Sequence, residues 1–453
     1  MTDSTQQRKA LYAAVWRWHF YAGIYVAPFL VVLACSGLVM LAEEPIERWQ
    51  LASLLANAPG GDGISHQARL DAARSAFPAA TLVRYQPGRT RAETTRVSVT
   101  IDDHPHTVFV DAHTGLVRGI VDDDHRIGMA AKLIHGTLLM GPAGDRLIEV
   151  AASFGILLVV SGLYLWFPKG LPLRQAFSLT GGSRRLVWRD LHKTTGALLA
   201  PVLAYYLISG LAWTDVWGGQ FVQAWSTLSA ATAAPGEPPP HTHETLNGGS
   251  SKVVPWNLEQ TPLPSSSSHA DHGRVMLDDA IAVAQRHGIG QRFWVGVPRG
   301  DHGVWTIAQT AMNKDVTDPT QELTVHVDQR TGEVVGRAGW DDYGLTAKAM
   351  AAGVPLHMGS LGWWNLIGAG VVCLSVLTLS VSGLVMWWLR RPARGWRLAA
   401  PPRPDLVRVP LLTWVTGLTL SVLFPLAGVT LVAIAILDWT LVRRLSALRR
   451  LLN

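Results

Sequence analysis

Four histidines, His19, His135, His192 and His357, stand at or beside the starts of apolar stretches long enough to enter a membrane. An ionisable side chain at that depth is costly and marks a functional site, and imidazole there can carry protons or bind a metal. Two of the four lie in near-duplicate text, Trp16-Arg17-Trp18-His19 and Trp188-Arg189-Asp190-Leu191-His192. Counting from either histidine, Gly follows at +4 (Gly23, Gly196), Ala-Pro at +8 and +9 (Ala27-Pro28, Ala200-Pro201), and Ser-Gly-Leu at +17 to +19 (from Ser36 and Ser209). His135 and His357 are each followed, at +26 and +25, by Ser-Gly-Leu-x-x-Trp, from Ser161 and Ser382. The chain is internally duplicated.

The elements that must position these residues are membrane spans. Of 453 residues 48% are hydrophobic and only 16% charged, a balance that points to an integral membrane protein. Apolar runs from about Tyr21 to Leu41, Leu147 to Phe167, Ala197 to Trp213 and Leu366 to Leu389 approach or exceed the ~20 residues a helix needs to cross a bilayer. A fifth run, Pro410 to Val442, holds Pro425 near its middle and reads as two short helices hinged there. Lys and Arg collect before the first span, between the second and third, and after the fourth, so that side is cytoplasmic. The net charge of +6 is therefore a matter of topology and does not indicate nucleic-acid binding. Cys35 and Cys373 lie in spans of opposite direction and are not expected to pair.

The spans divide the chain. Residues 1–42 form the cytoplasmic N-terminus and first helix, 43–134 an extracytoplasmic insert, and 135–167 the second helix. A basic loop (168–191), a third helix (192–213), a second insert (214–356), a fourth helix (357–389), a basic loop (390–409) and the hinged segment (410–453) follow. The inserts end in matching text, Val108-Phe109-Val110-Asp111-Ala112-His113-Thr114-Gly115 and Val325-His326-Val327-Asp328-Gln329-Arg330-Thr331-Gly332, which reads as a β-hairpin with an Asp-x-x-Thr-Gly turn. Each hairpin is preceded by a helical stretch, His66 to Phe77 and Leu277 to His287, so each insert is expected to be a small α+β domain. Residues 230–268, rich in Pro, Ser, Thr and Gly, read as a mobile loop. The fold class is thus an all-α transmembrane bundle of two parallel repeats carrying two small α+β domains.

Topology sorts the histidines by depth. His19 and His192 begin inward-to-outward helices near the cytoplasmic face, and His135 and His357 precede outward-to-inward helices near the other face. Two histidines at one level can fill both axial positions of a haem, so the pattern predicts two bis-histidine haems, one per leaflet. Gly23 and Gly196 leave room for a flat macrocycle or for a close helix neighbour. Arg17 and Arg189 can meet haem propionates or serve as ordinary positive-inside anchors. The pairs His104/His106, His241/His243 and His269/His272 lack a fixed acidic or thiol partner and read as solvated loop histidines. No dinucleotide fingerprint, P-loop or His-Glu-x-x-His is present, which leaves electron transfer as the enzymatic chemistry.

These motifs, together with Leu356-His357-Met358-Gly359 and Phe424-Pro425-Leu426, resemble the PepSY-associated transmembrane family from about residue 10 to 390 and into the C-terminal region. His135 departs from the pattern, lying further from its span in Ile134-His135-Gly136. The resemblance implies PepSY-like periplasmic domains and two haem b groups held by His19, His192, His135 and His357 in the bacterial inner membrane. It implies a di-haem reductase of ferric siderophores, supplied with electrons by a cytoplasmic or quinol donor. Two other readings stand beside it: a non-enzymatic PepSY-type protein that binds or regulates a peptidase, and a haem or metal transport accessory.

Overall fold

The structure, a computed structural model, describes residues 3–167, 176–177, 182–221, 242–247, 253–266, 274–391, 398–401, 410–442 and 444–445. In chain order the principal helices are α1 (Asp3–Leu41), α2 (Glu43–Gln50), α3 (His66–Ala76), α4 (Ile127–Thr137), α5 (Pro142–Trp166) and α6 (Arg184–Leu211). After these come α7 (Leu277–Arg286), α8 (Leu345–Met358), α9 (Trp363–Arg390), α10 (Leu411–Leu423) and α11 (Pro425–Leu437). The strands are β1 (Thr81–Gln86), β2 (Thr95–Ile101), β3 (His104–Val110), β4 (Val117–Asp122), β5 (Trp294–Gly296), β6 (Val304–Gln309), β7 (Leu323–Asp328) and β8 (Val334–Gly339). The chain divides into two compact units, Met1–Leu38 with Lys132–Val222 and Gly370–Asn453, and Val39–Ala131 with Gln223–Ala369.

The first unit is helical. Helices α1, α5, α6 and α9 are long and apolar enough to cross a membrane. Pro28 and Pro201 lie inside unbroken α1 and α6, as proline can in an apolar helix whose neighbours satisfy the freed carbonyl. Around α5, Val26, Val150 and Phe154 form one buried apolar cluster and Ala152, Ile156, Leu211, Phe424 and Ala427 another. Leu198, Leu374 and Val429 stay more than half exposed, which suits side chains facing lipid. Glu149, fully buried on α5, is not a stranded charge: its Oε2 accepts the N–H groups of Val216 and Trp217 and so caps the short helix Val216–Phe221. The break expected in the C-terminal run falls between α10 and α11, where Phe424 leaves helical geometry (φ −124°, ψ 80°) and Pro425 restarts it. Among the basic residues flanking the apolar segments, Lys169, Arg174, Arg394, Arg397, Arg403, Arg408, Arg443, Arg449 and Arg450 lie outside the described residues.

The second unit corrects an expectation. The inserts do not make two separate α+β domains; their strands join one antiparallel sheet of order β4-β3-β2-β1-β5-β6-β7-β8. The seam is β1 against β5, with Arg84 opposite Gly296 and Tyr85 opposite Val295. Four-strand halves standing alone would each expose an edge of unpaired N–H and C=O groups, and pairing the two edges removes both. One core covers the inner face of both halves, with Tyr85, Val97, Val99, Val108 and Val110 meeting Val295, Trp305, Ile307, Val325 and Val327 under α3 and α7. The helices lock reciprocally. Asp278 of α7 accepts the first N–H groups of α3, from His66 and Gln67 (both 2.8 Å), while Gln67 Oε1 accepts Leu277 N–H (2.9 Å).

The two hairpins form as the sequence predicts, β3–β4 and β7–β8. Asp111 Oδ1 accepts the N–H groups of His113 and Thr114 (2.9 and 3.0 Å), and Asp328 Oδ1 those of Arg330 and Thr331 (2.7 and 3.0 Å). Gly115 and Gly332 close the turns at φ 77° and 76°, left-handed values that glycine takes without strain. Of the segment expected to be mobile, 242–247 and 253–266 instead pack on the outer face of the second half-sheet through Leu246, Val253, Val254 and Leu258, against Trp294 and Ala308. Residues 230–241, 248–252 and 267–268 lie outside the described residues.

Candidate functional site

Helices α1 and α6 bring His19 and His192 together inside the first unit. Their ring centroids lie 6.4 Å apart with planes at 89°. Each ring is anchored through Nδ1: His19 to Ser161 Oγ of α5 (2.8 Å), His192 to Ser382 Oγ (3.0 Å) and Leu379 O (3.1 Å) of α9. Among the described residues neither Nε2 makes a hydrogen bond, so that nitrogen is left for another partner. Bonds of about 2.0–2.1 Å from an imidazole nitrogen to a shared metal would put two ring centroids roughly 6–6.5 Å apart. The pair therefore fits two axial ligands of one ion, with the anchored Nδ1 atoms in the outer positions where metal-bound histidines are normally held.

His135 repeats the arrangement, with Nδ1 3.0 Å from Ser36 Oγ of α1. Its position differs from expectation. His135 and His357 do not begin the spans; each sits near the C-terminal end of a separate short helix, α4 or α8, before the span α5 or α9. The chain reverses between them through positive-φ backbone at Leu138, Leu139 and Gly141 in one case and at Gly359 and Gly362 in the other. Asn365 pins the second corner, donating to Leu356 O (2.9 Å) and accepting Leu361 N–H (3.0 Å). This explains the one-residue difference in spacing: the turns 138–141 and 359–362 are equally long, and the extra residue lies at the end of α4, where His135 stands two residues before the helix terminus and His357 one. His135 falls in the helical unit and His357 in the sheet unit, so their pairing rests on the sequence repeat alone.

Two glycine roles separate. Gly23 and Gly196 face Leu158 and Leu379 at ordinary contact distances for a Cβ (3.9 and 3.5 Å), which is the close-neighbour reading. The glycines beside imidazole are the ones after the serines: a Cβ on Gly162 would lie a tight 3.2 Å from His19 Cε1, and on Gly37 or Gly383 an ordinary 3.6 Å from Cε1 of His135 or His192. In the sequence Ser-Gly-Leu is visible as a repeat, at +17 from His19 and His192 and at +26 and +25 from His135 and His357, but nothing local assigns it a role.

Arg17 donates to Tyr21 Oη (2.9 Å) and to Pro401 O, and its guanidinium lies over the Tyr21 ring. Arg189 pairs with the buried carboxylate of Asp190 (2.9 Å), as does Lys193 (3.3 Å).

The other histidines divide. His104 is exposed on β3, beside Asp124 (3.5 Å), and His106 on the same strand is half-buried. His241, His269 and His272 lie outside the described residues. His243, expected in solvent, is buried, with its Nε2 3.0 Å from His326 Nε2. Thr261 spends its hydroxyl proton on Leu258 O, so His243 Nδ1–H donates to Thr261 O (2.9 Å); His326 Nε2–H then donates to His243, and Thr306 donates to His326 Nδ1 (3.0 Å). Every partner is satisfied in the neutral pair, and burial pushes both pKa values down, that of His326 to about 3. This pair fastens residues 242–247 to the sheet. Beside the same half-sheet, a cavity of about 700 Å³ is lined by Arg292, Asp315, Glu322 and Arg337, and burial pushes Asp315 and Glu322 up to about 7.

The family described as the PepSY-associated TM region matches residues 16–390, most of the chain, and this membrane protein belongs to it. A search of curated proteins finds no match.

Proposed function

We propose that the protein is a di-haem b-type electron-transfer protein of the inner membrane, reducing ferric siderophores in the periplasm by one electron to the weakly held Fe(II) state. The observation that carries the reading is the His19–His192 pair: two imidazoles at metal-bridging separation, anchored through Nδ1 and with no Nε2 hydrogen bond among the described residues. Haem b held by His19 and His192 would supply reversible one-electron chemistry, and with both histidines engaged no ligand position would be left for oxygen. His135 and His357 form the second ligand pair by the repeat, on the periplasmic side. Arg17 and Arg189, two and three residues before the first ligands, would receive propionates in exchange for partners they now hold. The donor is a cytoplasmic carrier or a quinol.

The test is a visible spectrum of the purified protein before and after dithionite. A Soret band with split reduced bands is expected, lost in part in His19→Ala and His135→Ala. The ring planes at 89° further predict the highly anisotropic low-spin ferric EPR signal of crossed imidazoles rather than a rhombic one. Absence of a Soret band overturns the proposal. A haem protein whose reduced form is not reoxidised anaerobically by ferric trihydroxamate, catecholate or citrate chelates would retain the cofactor and lose the substrate.

A further inference from the structure

The Ser-Gly pairs have a chemistry that the repeat alone does not explain. Ser161 Oγ lies 2.6 Å from Leu157 O, Ser36 Oγ 2.7 Å from Val32 O, and Ser382 Oγ 3.1 Å from Leu379 O. A carbonyl only accepts, and a hydroxyl has one proton to give. With that proton committed to the serine's own helix, the contact to each histidine must run the other way, from imidazole Nδ1–H to serine Oγ. His192 supports the assignment separately, since its Nδ1 also faces the Leu379 carbonyl, which can accept only from N–H.

We infer that Ser161, Ser382 and Ser36 are positioning residues that hold His19, His192 and His135 as Nδ1–H tautomers, presenting the Nε2 lone pair to iron and keeping the ring planes in place. The inference rests on the haem reading. Behind His19 the following glycine completes the seat, since a Cβ on Gly162 would press on the ring at 3.2 Å, whereas on Gly37 or Gly383 it would make ordinary contact with the imidazole at 3.6 Å. An acceptor on Nδ1–H makes the imidazole a more basic ligand, and losing such a partner typically costs roughly 10–100-fold in metal affinity.

The experiment compares Ser161→Ala, Ser382→Ala and their Thr counterparts with Ser153→Ala. Ser153 is buried on α5 and bonds back to Glu149 O in the same way, without a histidine among its hydrogen-bond partners, and so controls for the helix bond itself. Three readouts apply: haem transfer to excess apomyoglobin, midpoint potential by redox titration, and the ferric EPR signal. Expected for the Ala variants are about 10–100-fold faster or more complete haem loss, a raised potential because the ligand is less electron-rich, and an EPR signal drifting from the crossed-plane type. Thr should restore all three, and Ser153→Ala should match wild type. Wild-type retention, potential and spectrum in both Ala variants overturns the inference, as does an equal effect of Ser153→Ala. A wild-type protein without haem fails at the first spectrum and takes the parent reading with it.

Discussion

Duplication left different marks on the two units. In the helical unit, three histidines on three helices are each held by a serine and glycine from another helix, with Nδ1 to Oγ distances of 2.8 to 3.0 Å. In the sheet unit, the halves share an inner face and differ on the outer one. The first half carries an ionic outer face, with Glu47 between Arg96 and Arg126, and Asp123 accepting from Arg126 and Thr107. The second carries an apolar strap, residues 242–247 and 253–266, and His326 stands where the first half has Phe109. A ring to be held in one orientation admits few solutions, so the copies of its seat stay alike; a sheet face needs only cover, and either salt bridges or an apolar strap supplies it.

The largest effect should come from the shared inner face. Ile307, fully buried, becomes a cavity in Ile307→Ala, which should destabilise the sheet unit by about 2–5 kcal/mol, and Ile307→Val by about 0.5–1.5, measured by denaturant unfolding followed through hydrogen exchange of β1–β8. If exchange speeds only in β5–β8, the single core is wrong. Next come the seats. Gly162→Ala forces a Cβ to 3.2 Å from His19 and should cost about 1–3 kcal/mol by overpacking. Gly383→Ala meets His192 at an ordinary 3.6 Å and should be neutral or slightly stabilising, since alanine favours the helix. Equal thermal stabilities for the two would show that the seats are not set by contact distance.

The strap should be acid-sensitive. His326 has a folded pKa near 3 against an ordinary 6.5, so between those values the folded state binds fewer protons than the unfolded chain. Stability from the pair is complete above pH 6.5 and lost as pH falls toward 3, which hydrogen exchange of 242–247 and 253–266, corrected for intrinsic rates, should report. Asp315 and Glu322, raised to about 7, work in the opposite sense, stabilising as pH falls through that value. His326→Phe, which installs the first half's residue, should flatten the histidine part; an unchanged pH profile would remove the pair from the account. The smallest effect is expected from the exposed Arg48–Glu44 bridge, where Arg48→Ala should shift stability by at most about 0.5 kcal/mol in a thermal melt.

The spans, the repeat and the hairpins were legible because each is local: an apolar run, a fixed offset, an Asp-x-x-Thr-Gly turn. The union of the inserts was not, since the β1–β5 seam joins residues more than 200 apart and rests on backbone hydrogen bonds that carry no residue signature. The burial of His243 was hidden for the same reason, because Pro- and Ser-rich text reads as loop until a sheet face is found beneath it.

By itself the sequence determined which residues could do chemistry, the four histidines, and which helices would carry or follow them, because hydrophobic length and repeat spacing are properties of the chain. Only the tertiary structure decided how those imidazoles are presented. The proton that assigns the tautomer lies between a histidine and a serine 99 to 190 positions away, and such a hydrogen bond exists only once packed helices exclude the water that would otherwise satisfy both partners.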